Sequence, residues 1–296
     1  SHGSSESILT QLELEAGLGS GAIDPARLNS IVMIQCVGSR EKGRNYCSRV
    51  CCASALKNAL HLKERNPDLD ICILYRDIMA YGFLETYYTR ARREGIIFVQ
   101  YTPERKPVVS LREDGAVRVV TRDPILGRDI ALEPDCLVLS TGIIPHDQRS
   151  LAEVFGIELN EDGFFKEADY KWQPVNSRRR GIFICGTAHS PRSIPESIAM
   201  AQAAAQRAAG MLNRDKIYSG SIVADVRPGL CSLCERCVEA CPYGARRCNK
   251  DEGVIEVDQL ACQGCGACAA VCPNSASVIH GYGDRQILAM LDAALE

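Results

Sequence analysis

Residues 231–242 read Cys231-Ser-Leu-Cys234-Glu-Arg-Cys237-Val-Glu-Ala-Cys241-Pro242, and residues 262–273 read Cys262-Gln-Gly-Cys265-Gly-Ala-Cys268-Ala-Ala-Val-Cys272-Pro273. Both follow the spacing C-x2-C-x2-C-x3-C-P, so the tail of the chain is an internal repeat. Three thiolates on one tight loop can reach three irons of a cuboidal cluster, while the fourth, set beyond a short turn and ahead of proline, points to the other cluster. The spacing thus assigns two [4Fe-4S] clusters. One takes Cys231, Cys234, Cys237 and Cys272, and the other takes Cys262, Cys265, Cys268 and Cys241. A pair of tetrahedral zinc sites would account for the C-x2-C pairs, but not for a duplicated triplet followed by Cys-Pro. Cys248, between the halves, belongs to neither set and reads as a small buried hydrophobe.

Working outward, the whole chain of 296 residues carries 16 cysteines, with 46% hydrophobic and 24% charged residues and a formal net charge of -3. That composition is globular. It has no basic excess, which argues against nucleic acid or an anionic membrane as the main partner. Cysteines two and three residues apart suit metal ligation under reducing conditions rather than a secreted disulfide framework. No apolar signal segment is present, and no apolar run approaches the roughly 20 residues needed to cross a bilayer. The expectation is a cytoplasmic protein of anaerobic, low-potential metabolism, without direct membrane insertion. The leading Ser1-His-Gly-Ser-Ser reads as a tag remnant or the broken edge of a longer chain.

Ahead of the repeat the pattern changes. Apolar runs at 30–35 and 70–75 read as strands, joined by a helix over 48–65 with apolar residues at helical spacing. This βαβ-like unit implies a parallel α/β layer. Further strands are expected at 96–100, 117–121, 136–140 and 181–185. Pro195 opens an Ala-rich helix to about Asn213, Pro being tolerated in a first helical turn. From Arg227 the composition shifts to Cys, Gly and Ala, and the tail from Asp284 reads as an amphipathic closing helix.

A second cysteine group, Cys36, Cys47, Cys51 and Cys52, falls within 17 residues, at the turn between the first strand and its helix. A dinucleotide-binding turn would carry G-x-G-x-x-G here, but the chain reads Gln35-Cys36-Val37-Gly38-Ser39-Arg40. Spacing leaves two readings open: a third [4Fe-4S] cluster of irregular geometry, or buried structural thiols such as Cys72, Cys136 and Cys185. Downstream, Leu139-Ser140-Thr141-Gly142-Ile143-Ile144-Pro145 resembles the A-T-G-x-x-P turn of two-dinucleotide-domain flavoproteins. Gly181-Ile-Phe-Ile-Cys185-Gly186-Thr187 resembles their strand ending in Gly-Asp, with Thr187 in place of the Asp that binds the FAD ribityl chain. The helix opening at Pro195, Glu196 and Ser197 would aim its positive end at the flavin pyrimidine edge. Gly17-Leu-Gly19-Ser-Gly21 is rejected as a phosphate loop for lack of a preceding buried strand. His146 and His189 read as surface or capping residues.

Taken together, Gln35-Cys36-Val-Gly-Ser-Arg40, Tyr46-Cys47-Ser-Arg-Val-Cys51-Cys52, Leu139-Ser-Thr-Gly142 and the terminal repeat resemble the A subunit of heterodisulfide reductase and its relatives, over nearly the whole chain. The resemblance implies that Cys36, Cys47, Cys51 and Cys52 ligate an irregular third cluster beside FAD, where a nicotinamide would otherwise bind, and that Lys57 lies near the flavin and tunes it. It implies FAD contacts from Thr141, Gly142, Gly186, Thr187, Pro195, Glu196 and Ser197. Family members begin with a FAD-binding half that carries G-x-G-x-x-G, and only their C-terminal half is matched. The expected fold is therefore α/β, a partial two-dinucleotide-domain, thioredoxin reductase-like flavoprotein followed by an α+β double-cluster ferredoxin-like domain. In residue terms this gives a remnant over 1–27, a Rossmann-like domain over 28–145, the C-terminal part of a FAD-binding domain over 146–220, and the ferredoxin-like domain with its closing helix over 221–296. The implied function is an oxidoreductase subunit that relays electrons between FAD and partner subunits, with flavin-based bifurcation left open. The implied partners are other redox subunits of such a complex, with hydrogenase, dehydrogenase or ferredoxin, in an oligomer. The alternatives are a quinone-interacting oxidoreductase flavoprotein, or an NAD(P)H-dependent enzyme of the glutamate synthase small-subunit type, against which the missing nicotinamide fingerprint argues.

Overall fold

Val- and Ile-rich runs buried on both faces make parallel strands, and the first third of the chain is built from them. The computed structural model describes residues 2–213 and 222–295. The chain divides into two compact units, residues 1–146 with 191–194, and residues 147–190 with 195–296. The expected boundary at residue 220 lies outside the described residues.

In the first unit the strands β1 (Ile8–Thr10), β2 (Ser30–Ile34), β3 (Asp70–Tyr75) and β4 (Ile97–Gln100) are joined by the helices α1 (Gln11–Ser20), α2 (Cys51–Arg65) and α3 (Glu85–Arg93). An antiparallel meander follows, β5 (Val108–Leu111), β6 (Val117–Asp123) and β7 (Arg128–Leu132), and then β8 (Cys136–Leu139) returns to the main sheet. That sheet is parallel throughout, in the order β1-β8-β2-β3-β4. Alternation along the strands separates two cores. Ile31, Met33, Cys136 and Val138 face Ala55, Leu56, Ala59 and Leu62 of α2, and Val32, Ile34, Leu137 and Leu139 face Val117 and Val119 of the meander. The chain runs from β2 to β3 and β4 on one side, then places β8 on the other. This creates a switch point at the C-terminal ends of β2 and β8, the place where open α/β sheets hold their ligands.

Residues 8–20, expected to belong to a leading remnant, are instead an edge strand and a helix of this unit. Ile8, Leu14 and Leu18 are buried, although the polar residues between them masked the spacing. Thr10 and Glu13 form a capping box, Glu13 N donating to Thr10 Oγ1 at 3.2 Å and Thr10 N to Glu13 Oε2 at 2.7 Å. The glycines at 17–21 lie at the C-terminal end of α1, where Gly21 takes the left-handed capping conformation, so no phosphate loop forms there.

The second unit holds α4 (Arg149–Phe155), the hairpin β9 (Glu167–Asp169) with β10 (Gln173–Ser177), and α5 (Ile194–Leu212). The strand expected at 181–185 is not regular. The segment pairs with β10 only through an isolated bridge, with Ser177 N donating to Ile182 O and Ile184 N to Val175 O. The ferredoxin-like part comprises β11 (Ala224–Val226), α6 (Arg236–Glu239), β12 (Arg246–Asn249), β13 (Val254–Val257), α7 (Ala267–Ala270) and β14 (Ser277–Ile279). β11 pairs with β14 and β12 with β13, both antiparallel. The final helix α8 (Asp284–Leu295) has no buried residue, so it closes no core among the described residues.

Candidate iron-sulfur centres

The two cysteine runs are held by matching backbone turns. Leu233 and Glu235 in the first run take positive φ, and Gly264 and Gly266 occupy the same positions of the second, 31 residues on. A left-handed residue costs a non-glycine backbone about 1–3 kcal/mol, and these sharp turns bring three cysteines to one side of each loop. Gly264 is also required for space, since a Cβ there would stand 2.4 Å from the Ile222 carbonyl oxygen. The fourth cysteine of each run receives a backbone N–H from four residues on, Ala245 to Cys241 at 3.3 Å and Ala276 to Cys272 at 3.2 Å. Ser277 N adds a second donor to Cys272, and this donor with its neighbours holds the Cys272 thiol below the ordinary range.

Each predicted quartet lines one cavity. Cys231, Cys234, Cys237 and Cys272 line one small cavity, and Cys241, Cys262, Cys265 and Cys268 line the other. The crossing of the fourth cysteine to the opposite loop is therefore built into the backbone. Among the described residues no three His, Cys, Asp or Glu side chains close on a single metal-ion position. The quartets line cavities rather than converging on points. Cys248 sits half-buried on β12 against this small core. A residue that motif reading missed, Arg246, lines the second cavity and is 4% exposed. Burial raises the Cys268 thiol, and the Arg246 guanidinium beside it offsets only part of that rise.

In the first unit, Cys36 follows β2 and Cys51 and Cys52 open α2, placing all three at the switch point. α2 starts at Cys51, later than the expected 48, because Arg49 has φ +62° and cannot join a helix. Cys36, Arg40 and Gly38 also take positive φ, so the backbone winds tightly between the strand and the helix. Long-range contacts hold this winding in place. Tyr46 Oη donates to Ile143 O at 2.9 Å, Ser48 Oγ accepts from Ile143 N at 2.8 Å, Arg76 Nη1 donates to Arg40 O at 3.1 Å, and Arg40 pairs with Asp77 at 2.7 Å. Burial pushes Cys51 up to about 11 and Cys52 up to about 12, and their neighbours' charges add to this. Cys36 is raised by burial and held down by Arg40. Iron would have to displace protons from all of them, which ties loading of this site to proton release.

The surroundings fit a cluster rather than plain core thiols. The Gln35 side chain, 0% exposed, has no partner for its amide nitrogen or oxygen, and the buried hydroxyls of Ser39 and Ser140 are also unpartnered. Each such group costs about 1–3 kcal/mol if left unmet. By strand alternation Gln35 and Ser140 lie on the α2 side of the sheet. Ser140 shares a cleft with Cys51, and unpartnered donors of this kind suit sulfur acceptors.

Thr141 and Gly142 share a cleft of about 460 Å³ with Cys51, Ser54, Ser140 and Glu15. Gly142 has φ +79°, and a Cβ there would stand 2.4 Å from Ser48 Oγ, so this turn packs directly on the cysteine loop. Lys57 does not line that cleft. Its Nζ pairs with Glu15 at 2.7 Å and is half exposed, so it meets the cleft only through Glu15. In the second unit Gly186 and Thr187 lie in a short 3-10 turn, and a Cβ on Gly186 would touch Ser197 of α5 at 3.6 Å. α5 begins at Ile194, with Pro195 and the acidic Glu196 in its first turn. His189 is more buried than expected and pairs with Glu167 at 3.0 Å.

Comparison with known proteins bears on these sites. A family model described as a 4Fe-4S dicluster domain matches residues 230–276, which contain both quartets. The iron-sulfur A subunit of the CoB–CoM heterodisulfide reductase of Methanocaldococcus jannaschii is 36% identical over 313 aligned positions, covering 100% of this chain and 47% of that protein. The A subunit of the H2/formate:CoB–CoM heterodisulfide,ferredoxin reductase of Methanococcus maripaludis is 36% identical over 274, covering 89% of this chain and 41% of the relative. The chain thus spans about half the length of the curated relatives it matches, or less. Among solved structures, the thioredoxin reductase of Lactococcus lactis aligns with a TM-score of 0.43 and 19% identity over 69% of this chain and 62% of its own, a likeness too distant to carry an argument. With 36% identity along its whole length and the dicluster domain in place, the chain is a homologue of part of the heterodisulfide reductase A subunits.

Proposed function

We propose that this chain is an electron-transfer subunit of a heterodisulfide reductase-like complex, working with FAD and three [4Fe-4S] centres. The observation that carries this reading is the pair of cavities in the ferredoxin-like part, each lined by three cysteines of one run and the fourth of the other. When bound, the clusters supply one-electron storage and transfer, and the flavin supplies two-electron chemistry. The protein's own contribution is to hold and insulate. Cys36, Cys47, Cys51 and Cys52 would hold the third centre at the switch point, and Gln35, Ser39 and Ser140 would donate to its sulfurs. Thr141 and Gly142 are candidate flavin contacts, as are Gly186, Thr187, Pro195, Glu196 and Ser197. Lys57 would act on the flavin through its pairing with Glu15.

The partners proposed are the other redox subunits of such a complex, including those that oxidise H2 or formate, and ferredoxin, as the name of the Methanococcus relative suggests. Among the described residues no helix is long and apolar enough to cross a membrane. The setting proposed is the reducing cytoplasm, where thiols stay free to bind iron. Iron and acid-labile sulfide analysis of anaerobically prepared protein tests the reading. About twelve irons per chain support three four-iron centres; about eight would remove the one at Cys36–Cys52, and zinc without iron would remove them all.

A further inference from the structure

The two cavities of the ferredoxin-like part are equivalent in their ligands and unequal in their charge. Counting from the fourth cysteine of each run, Arg246 stands five residues after Cys241, and Ser277 stands five residues after Cys272. Each lines the cavity of its own cysteine. Both are buried, Arg246 at 4% and Ser277 at 5% exposure. The repeat therefore places a buried guanidinium in one cavity and a neutral hydroxyl at the matching place in the other, whose lining carries charge only as the half-buried Glu235 and the exposed Arg236.

A buried guanidinium normally requires a carboxylate. Arg246 has none among the described residues. Its Nη2 donates to the Asp225 carbonyl at 3.3 Å, and its Nε and Nη1 have no hydrogen-bond partner. The Asp225 carboxylate is paired with His280, and the cavity that Arg246 lines holds the four cysteines that a cluster would require as thiolates. Reduction adds one electron, and so one negative charge, to the cavity without making or breaking a bond. A fixed positive charge in a low-dielectric cavity favours that added charge.

We infer that Arg246 holds the potential of the centre bounded by Cys241, Cys262, Cys265 and Cys268 above that of its twin, so that an electron entering the pair comes to rest there. The inference rests on the two-cluster reading of this region and deepens it by giving the pair a direction. Arg246 is a positioning residue in this account, since it touches the ligand shell and takes no part in bond chemistry.

The test is a dithionite titration of the full chain, anaerobically reconstituted with iron and sulfide and followed by low-temperature paramagnetic resonance. In the unmodified protein the two ferredoxin-type signals should develop at different potentials. Arg246→Gln keeps N–H donors but removes the charge, and should bring the upper midpoint down toward the lower one while leaving the lower in place. Arg246→Lys keeps the charge and should keep the separation. Equal midpoints in the unmodified protein would overturn the inference, and so would a separation that survives in Arg246→Gln at full iron content. If both variants lose one centre, the signal that disappears must be the upper one, and loss of the lower one overturns the inference. Iron below about eight atoms per unmodified chain would instead bring down the two-cluster reading itself.

Discussion

The cysteine runs at 231–272 and the cysteine loop at 36–52 solve one problem by opposite means. In the tail, ligand placement is local: a left-handed pair of residues and a short helical turn set each triplet, and the repeat supplies the fourth thiol. At 36–52 placement is global, since the loop is held by Ile143, Arg76 and Asp77, residues between 25 and 97 positions away. The supporting cores differ in the reverse sense. The parallel sheet has two large apolar cores that contain none of Cys36, Cys47, Cys51 and Cys52, whereas the small apolar cluster of the tail is centred on Ala224, Cys237, Ile255 and Cys268, and two of these four are candidate ligands. A local code thus comes with a fold that depends on its metal, and a globally held site comes with a fold that does not.

Metal removal breaks this comparison most directly. Chelation of iron from the full chain should abolish amide protection across β11 to β14, because the apolar cluster there is small and is built around Cys237 and Cys268. Protection in β2 and β3 should persist. Equal loss in both regions, read by hydrogen exchange, would refute the distinction. At the level of single ligands, Cys268→Ala and Cys52→Ala should each remove about four irons, but with different structural cost. Cys52→Ala leaves the sheet folded, lowering its stability by about 1 kcal/mol and its melting midpoint by about 2–4 °C. Cys268→Ala should melt the tail as chelation does.

The same contrast explains how much is legible without coordinates. The dicluster repeat of the tail and the βαβ unit can be read because both are written in short-range spacing. The first strand and helix cannot, since Ile8, Leu14 and Leu18 become a core face only once α2 and β8 lie against them. Family resemblance puts Lys57 at the flavin, but its partner Glu15 lies on a different helix, which no local pattern reveals. The segment 181–185 has strand-like residues and lacks a regular neighbour, so apolar content alone overstates it. Arg246 emerges on aligning the two halves and asking which matched position differs in charge.

The global mode of holding the loop can be sharpened at Gly142. Alanine there would combine a φ of +79° with a Cβ 2.4 Å from Ser48 Oγ, at a cost of about 1–3 kcal/mol. Ser48→Ala removes the acceptor of Ile143 N and should cost about 1 kcal/mol. If the two residues report on one contact, the double variant should lose less than the sum, because the closest clash disappears with the Ser48 hydroxyl while the one with Ser39 Oγ at 2.9 Å remains. Denaturant unfolding followed by a sheet-specific probe reads this coupling. Strict additivity would mean that the turn and the cysteine loop are independent.

The smallest effect separates the sheet from the clusters by pH. Asp135 Oδ2 accepts from Asn29 N at 2.6 Å and Ser30 N at 3.1 Å, tying the start of β2 to the approach of β8. The Asn29 N–H foremost, and that of Ser30, hold this carboxyl below its ordinary value of 3.8. Its folded-state affinity for protons is lower than in the unfolded chain, so its contribution is present above the ordinary carboxylate range and is lost as pH falls through the depressed value. Asp135→Asn should therefore flatten the acid limb of sheet stability and leave stability near neutrality only slightly reduced. The iron content and the resonance signals of the tail should not respond to the substitution at all. A shift in the tail's signals would show that the two regions share more than their covalent connection.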